Sequence, residues 1–254
     1  MKSPLKENIN NFRCLKTLKE MIPKGSVVNS FHLFGGADEL ALAADQRLVF
    51  AHTTQYIIYE FWNCALEDPS KILAISKELF PKIRNKHLFN VLQEKWTTYR
   101  DPFLRAALFF MLNKCSDTGF VSCGQLDDKN FNPISLSHLK KFKADHFQPV
   151  WDEKLEFHRS FRDIKNNDYL LFPIGKFNYN LFEEGKSKGH EMTTIHHQRF
   201  YDTLQDVKDK WIVLYKYHPR VHLLYKNYNI IMLDKYGRET QDKEKCEEVV
   251  IANF

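Results

Sequence analysis

The sequence predicts an α/β protein in which a mixed, Rossmann-like sheet is interrupted by a helical insertion. Its first part reads as strand-like residues 26–31, a turn at Gly35 and Gly36, an alanine- and leucine-rich helix, and a second, apolar strand at residues 48–52. This order of strand, glycine turn, helix and strand is typical of β-α-β units that bind nucleotides. Paired glycines alone more often permit a tight turn than hold a ligand, so they predict the fold and not a site.

The last third of the chain returns to strand-like patterns. Four apolar segments predict strands: residues 169–172, 211–215, 229–233 and 247–251. Between the first two of these strands, residues 177–194 predict a polar loop, and residues 196–207 predict a short amphipathic helix. These strands join the first part to complete one sheet.

Helical patterns dominate residues 54–149. Asp101 and Pro102 form a start signal, an N-cap acid followed by proline in the first turn, and the almost wholly apolar residues 103–112 predict a buried helix. Beyond it, residues 113–133 hold turn-forming glycines and aspartates, which predict a hairpin projecting from the helices. We therefore divide the chain into an N-terminal core part at 1–63, the insertion at 64–149 and a C-terminal core part at 150–254.

Composition limits the class of protein. With 254 residues and 43% hydrophobic content, the chain can bury a large core, and its formal charge of +5 permits a polyanionic partner without requiring one. Five cysteines at irregular spacings indicate neither a disulfide framework nor a zinc site. The polar first residues and the lack of an apolar run of about 20 residues argue against a signal peptide and a membrane span. We expect an intracellular protein, cytoplasmic, nuclear, nucleoid-associated or viral, that is not secreted and has no membrane partner.

Three further features predict structure and not chemistry. His190, His196 and His197 have no glutamate or cysteine partner at ligand spacing, so we expect surface histidines and no metal site. The mixed charges of residues 242–248 predict a solvated turn before the last strand. The aromatic residues among positions 56–62 recur at helical spacing and predict core or a subunit contact.

The most specific pattern begins at the buried helix. Residues 101–114 read Asp-Pro-Phe-Leu-Arg-Ala-Ala-Leu-Phe-Phe-Met-Leu-Asn-Lys, and Gly119-Phe120 and Phe131-Asn132-Pro133 follow. With these segments, and with Phe34-Gly35-Gly36-Ala37 near the start, the chain resembles the Dam-like adenine-specific DNA methyltransferases over nearly its whole length. The resemblance implies a methyltransferase-type fold, S-adenosylmethionine as cofactor and a DNA-recognition role for the insertion.

The catalytic motif of that family is missing. Its Asp-Pro-Pro-Tyr accepts hydrogen bonds from the adenine amine and stacks on the extruded base. The matching positions here hold Phe172, Pro173, Ile174 and Gly175. Phe172 has no acceptor and Gly175 has no ring, so no catalytic residue is intact. A shifted alignment would instead enlist Asp168, or Asn178 with Tyr179.

The cofactor positions implied by the resemblance have also changed. The glycine pair Gly35 and Gly36 remains, but Asp38 stands where the family has the second glycine of Gly-x-Gly, and its carboxylate crowds the cofactor. The ribose-holding aspartate corresponds to His52, and the family's Gly-Gly-Lys corresponds to Asn10-Asn11-Phe12. We expect no bound cofactor at this degenerate site, or S-adenosylmethionine if the protein is active.

The resemblance places DNA contacts in the insertion. There the family inserts an apolar side chain and reads bases with an arginine, and the matching positions are Phe120 and Ser122, so the arginine is lost. Phosphate contacts need only positive charge. Five lysines surround this segment: Lys114, Lys129, Lys140, Lys141 and Lys143. The alternative is that residues 140–143 form a solvated helix face.

The joint loss at the catalytic, cofactor and base-reading positions favours a pseudoenzyme. Our first hypothesis is a catalytically inactive adenine DNA methyltransferase-like protein that acts as a DNA-binding or assembly subunit with a protein partner. The second is an active S-adenosylmethionine-dependent adenine methyltransferase with a diverged motif. The third is a structural protein without DNA binding.

Overall fold

The computed structural model describes residues 2–6, 12–152, 168–177 and 195–254. The helices are α1 (Leu15–Met21), α2 (Ala37–Ala43), α3 (Tyr56–Glu67), α4 (Pro69–Ile83), α5 (Lys86–Lys95), α6 (Pro102–Cys115), α7 (Pro133–Lys140), α8 (His197–Gln205) and α9 (Pro219–Leu224). The strands are β1 (Val27–Phe31), β2 (Leu48–Thr53), β3 (Phe147–Trp151), β4 (Tyr169–Gly175), β5 (Trp211–Lys216), β6 (Asn229–Asp234) and β7 (Cys246–Ala252). Single 3-10 turns lie at Phe12–Cys14, Trp96–Thr98 and Asp128–Asn130.

The strands form one sheet in the order β3-β2-β1-β4-β5-β7-β6. Strands β1 to β5 pair in parallel, whereas β7 lies antiparallel between β5 and β6. The chain moves outward from β1 to β3 on one side and from β4 to β5 on the other, so the sheet changes direction between β1 and β4. This confirms the predicted α/β fold class with a mixed, Rossmann-like sheet.

Two compact units divide the described chain. A helical unit contains residues 2–6 and 55–144, and a sheet unit contains residues 12–54, 145–152, 168–177 and 195–254. The boundaries drawn from the sequence at 63/64 and 149/150 fall inside α3 and β3. In both cases the composition changes gradually, because an apolar helix or strand continues across the point of division.

One strand lies where the sequence predicted helix. β3 pairs in parallel with β2, with Thr53 opposite Trp151, so the helical prediction for residues 54–149 is wrong at its end. Pro149 obscured the strand, because proline cannot donate to a ladder and is uncommon inside sheets. The fold tolerates this proline because β3 is an edge strand.

In the helical unit, α3 and α4 pack against α6. The Asp101 carboxylate caps α6 by accepting a 2.7 Å hydrogen bond from the Leu104 amide, and residues 106–115 are all buried, as predicted. Phe61 and Trp62 are core residues, whereas Tyr56 is 47% exposed. No helix in the described ranges is long and apolar enough to cross a membrane.

The predicted hairpin after α6 is a closed loop without strands in the described residues. A single antiparallel bridge joins Ser116 to Leu126. Inside the loop, Asp117 Oδ1 accepts hydrogen bonds of 2.8 Å from both the Thr118 and Gln125 amides. A side chain therefore satisfies backbone donors that a ladder would otherwise pair, and this local bonding competes with strand formation.

Candidate functional site

The candidate site lies at the carboxyl ends of the parallel strands in the sheet unit. Ligands of doubly wound sheets bind at this edge, where the strand order changes direction. Here that point lies between β1, which ends at Phe31, and β4, which ends at Gly175. The described positions predicted for catalysis and cofactor binding, at Gly35, Gly36, Asp38, His52 and residues 172–175, therefore lie towards the expected edge.

A row of aromatic rings crosses this part of the sheet. Phe31 on β1 stacks on His52 of β2, with ring centroids 4.9 Å apart, and on Phe172 of β4, at 5.0 Å. Phe172 also meets Phe200 of α8 edge to face at 5.1 Å. Phe172 is 0% exposed and belongs to the apolar core under α8 and α9. The position of the missing carboxylate is therefore core, and it does not open into a cleft.

The rest of the degenerate motif is similarly packed. Ile174 is 0% exposed, Pro173 is half-buried, and Gly175 takes a positive φ of 78°. Just beyond it, the Phe177 ring lies between two imidazoles, with centroids 4.3 Å from His197 and 4.8 Å from His218. Phe177 thus supplies an aromatic ring beside the strand end, but that ring is already stacked on both faces.

His197 differs from its prediction as a surface histidine. It is 6% exposed, and its Nδ1 lies 2.8 Å from the Tyr215 hydroxyl. Burial, with smaller contributions from His196 and His218, lowers its pKa to about 4. Hence the ring is neutral at pH 7, as stacking on Phe177 in an apolar setting requires. Among the described residues, no group of three or more metal-ligating side chains is close enough to hold a metal.

His52 is likewise held inside the sheet. Its Nε2 lies 2.8 Å from Oδ1 of Asn29 on β1, and the residue is 8% exposed. Burial lowers the pKa of His52 to about 4. This contact commits one ring nitrogen of His52 to a neighbouring strand, so only the other nitrogen remains to meet a ligand.

The turn from β1 to α2 keeps part of the expected geometry. Gly36 is the N-cap of α2 with φ of 69°, a conformation that glycine adopts readily. Before it, His32 has φ of 78°, and the His32 and Leu33 amides both donate to the His52 carbonyl. Asp38 stands in the first turn of α2 and is 5% exposed. A buried carboxylate therefore occupies the turn where the resemblance implies glycine.

A second buried carboxylate on α2 bonds to β1. Ser30 Oγ donates a 2.7 Å hydrogen bond to Glu39 Oε1, and Glu39 is 3% exposed. Burial raises the pKa of Glu39, with the Ser30 hydrogen bond opposing that shift. Neither residue was singled out in the sequence, where both resemble ordinary polar positions beside a helix and a strand.

Glu248 is the most consequential residue that the sequence did not reveal. It lies in the predicted strand at residues 247–251 and also at the end of the predicted solvated turn at 242–248, and the structure places it on β7 with 0% exposure. Its carboxylate accepts from the amides of Arg13 and Cys14 at 3.0 and 3.1 Å, and it pairs with the Arg13 guanidinium at 3.1 Å and with the Lys216 ammonium. Glu248 thus anchors the 3-10 turn Phe12–Cys14 beside Lys216, the last residue of β5. Charge alone cannot distinguish this glutamate from its exposed neighbour Glu247.

The predicted DNA contacts in the helical unit fall into two groups. Lys114 is 6% exposed, and Ser122 is 0% exposed with its hydroxyl 3.4 Å from Trp96 Nε1, so the conformation described buries both. Phe120 is half-buried. The remaining candidates are exposed at the surface: Lys129, Lys140, Lys141 and Lys143.

Several predicted positions lie elsewhere. Asp168 is at the amino end of β4, where its Oδ2 accepts a 2.8 Å hydrogen bond from the Val27 amide, so it is on the edge opposite to the one that catalysis would need. Residues Asn10, Asn11, Asn178, Tyr179 and His190 lie outside the described residues.

No protein-family model and no curated protein matches the chain. Among solved structures it is similar to a SAM-dependent methyltransferase from Agrobacterium tumefaciens, with 10% identity, coverage of 95% of this chain and 59% of that one, and a TM-score of 0.39. It is also similar to a SAM-dependent methyltransferase from Aquifex aeolicus, with 11% identity, coverage of 96% and 94%, and a TM-score of 0.36. The chain therefore spans 59% of the length of the Agrobacterium protein. The fold assignment rests on the strand order and direction described above.

Proposed function

We propose that this chain is a catalytically inactive protein of methyltransferase-type fold that serves as a DNA-binding or assembly subunit. The observation that carries the proposal is the environment of Phe172. Methyl transfer to an exocyclic amine develops positive charge, which an active site must stabilise with an acceptor placed at the strand end. Phe172 offers no acceptor and is 0% exposed between Phe31 and Phe200.

The surroundings of Phe172 support the same conclusion. A carboxylate at this position would be desolvated by an apolar core, which costs several kcal/mol unless a cation or donors compensate. Phe177, the ring nearest to the strand end in sequence, is stacked between His197 and His218 and so has neither face available for an extruded base. Among the described residues at the end of β4, neither catalytic role of the motif, hydrogen-bond acceptor or stacking ring, is filled, and Asn178 and Tyr179 lie outside those residues.

The second candidate is an active methyltransferase, and one observation favours it. Gly36 keeps a left-handed N-cap at the turn between β1 and α2, a backbone conformation that glycine adopts readily, although Gly35 and Gly36 are buried. Retained S-adenosylmethionine binding without catalysis would also fit this turn. The two candidates differ in whether methyl groups are transferred.

We expect S-adenosylmethionine not to bind, because His52 is bonded within the sheet and Asp38 stands in the glycine turn. Calorimetric titration with this cofactor tests that expectation. We expect no saturable heat up to about 1 mM cofactor, which corresponds to less than about 4 kcal/mol of binding free energy. No tritiated methyl group should enter adenine-containing duplex DNA, with an active adenine methyltransferase as positive control. Micromolar affinity together with methyl incorporation would establish the second candidate instead.

The charge of the helical unit supports a DNA partner. Residues 55–144 contain 13 lysines and arginines and 9 aspartates and glutamates, so most of the formal charge of +5 is found there. Lys140 and Lys141, at the end of α7, are exposed. Such side chains bind phosphate through charge alone, without reading sequence.

Gel shifts with a short duplex test this part of the proposal. We expect binding that weakens steeply with salt and does not depend on sequence. The Lys140→Gln/Lys141→Gln variant should reduce the slope of log affinity against log salt by about 1.8, or about 0.9 for each phosphate that the variant no longer neutralises. The control variant Lys226→Gln/Lys243→Gln removes the same charge from exposed positions of the sheet unit and should leave the slope unchanged. Absence of binding at low salt would leave assembly as the remaining role.

A further inference from the structure

A cleft of about 610 Å³ opens at the edge of the sheet opposite to the candidate site. Its walls are the turns that lead into β1, β4 and β5. The lining residues are Lys24, Gly25, Ser26, Asp168, Tyr169, Lys208, Asp209 and Lys210. Its volume lies within the range of about 300–1,000 Å³ that is typical of small-molecule sites.

Positive charge predominates in this cleft. Three lysines face two aspartates, and the Asp168 carboxylate already accepts a hydrogen bond from the Val27 amide. Lys24 Nζ lies 3.5 Å from Asp45. Lys208 and Lys210 have no carboxylate partner among the described residues. Two ammonium groups are therefore available to an anion that enters the cleft.

The exposed Lys210 side chain has two aromatic neighbours at the cleft. Its ammonium lies 5.4 Å from the centroid of the Tyr169 ring and 5.3 Å from that of Phe254, within the range of cation–π attraction. A side chain restrained between two rings loses less conformational entropy when it binds a ligand. Gly25 adds open space, since a Cβ at that position would meet nothing within 4 Å.

We propose that this cleft binds a phosphate-bearing anion, with the phosphoryl oxygens contacting Lys208 and Lys210 and the remaining volume accepting an organic group. Phosphate suits these residues because ammonium groups pair with it as point charges and need no fixed planar geometry. The site lies on the edge of the sheet that the proposed function does not use, so it stands whether or not the carboxyl edge binds S-adenosylmethionine or the helical unit binds DNA.

Calorimetric titration in phosphate-free buffer, with pyrophosphate and with AMP as probes, tests this site. We expect saturable binding of at least one probe. The Lys208→Gln/Lys210→Met variant should weaken that binding at least about tenfold, which corresponds to about 1.4 kcal/mol. Methionine at position 210 keeps an apolar stem against the two rings, and thermal unfolding of the variant checks that the fold is retained.

Controls separate a specific site from general attraction to a basic protein. The Lys226→Gln/Lys243→Gln variant removes two exposed charges elsewhere and should bind within about twofold of the original chain, and Lys210→Arg should also retain binding. Tighter binding of AMP assigns the site to an organic phosphate, and tighter binding of pyrophosphate assigns it to an inorganic one. The proposal would be overturned if neither probe bound at about 10 mM, which corresponds to a binding free energy under about 3 kcal/mol. It would also be overturned if both double variants lost binding equally.

Discussion

The Glu248→Ala variant should lose about 3 kcal/mol of unfolding free energy, because removing one partner of a buried ion pair leaves the others uncompensated. Arg13 and Lys216 would lose their shared carboxylate, and the amides of Arg13 and Cys14 would lose their acceptor. The two cationic side chains are 29% and 24% exposed, so water recovers part of the loss. Urea denaturation followed by circular dichroism measures the change.

Two further variants sharpen this prediction. Glu248→Gln keeps an acceptor of similar shape but loses its charge, and should cost about 1–2 kcal/mol. Glu247→Ala, at the exposed neighbouring position on β7, should fall within about 0.5 kcal/mol of the original chain. Hydrogen exchange at the Arg13 and Cys14 amides should accelerate only in the Glu248 variants. Equal effects at positions 247 and 248 would show that the buried carboxylate does not anchor the turn.

The Phe172→Asp variant should restore the residue that the resemblance implies and yet produce no activity. Truncating a buried phenylalanine costs about 3–5 kcal/mol, and desolvating a carboxylate adds to this. Phe31 and Phe200 would lose the ring on which they pack. We therefore expect an unfolding free energy reduced by more than about 4 kcal/mol, and no measurable binding of S-adenosylmethionine.

A graded series keeps this prediction testable if Phe172→Asp does not fold. Phe172→Leu should cost about 1–2 kcal/mol and Phe172→Ala about 3–5 kcal/mol. Leu223→Asp places the same carboxylate at a position that is 67% exposed, and should change stability by less than about 0.5 kcal/mol. A Phe172→Asp protein with unchanged stability, or with newly acquired cofactor binding, would indicate an open pocket at the end of β4.

Patterns that depend on neighbours in sequence predicted much of the fold. The strands β1, β2, β4, β5, β6 and β7 were evident because each contains a short run of apolar residues. β3 was missed because Pro149 interrupts its pattern, and the hairpin predicted within residues 113–133 is reduced to a single bridge, where the Asp117 side chain accepts from the Thr118 and Gln125 amides. Both errors arose where one side chain determines what the backbone does.

The candidate site was less predictable than the fold. The family resemblance identified the positions Phe172 and His52. It did not show that both side chains pack against Phe31, because that packing depends on the register of three strands. Glu248 looked like a solvated charge because its partners, Arg13 and Lys216, are 235 and 32 residues away in the chain. Such long-range pairing leaves no periodic trace in the sequence.

The position of β4 beside β1 has a consequence for how the chain acquires its structure during synthesis. Val28 pairs with Tyr169, so the central strand pair closes only after all of residues 55–144 have left the ribosome. At a synthesis rate of about 5–20 residues per second, the roughly 140 residues from Val28 to Tyr169 take roughly 7–28 s. During that time β1 has an unpaired edge on the side that β4 later occupies, and an exposed strand edge invites aggregation. The rate at which β4 arrives therefore sets how long this edge of β1 stays unpaired.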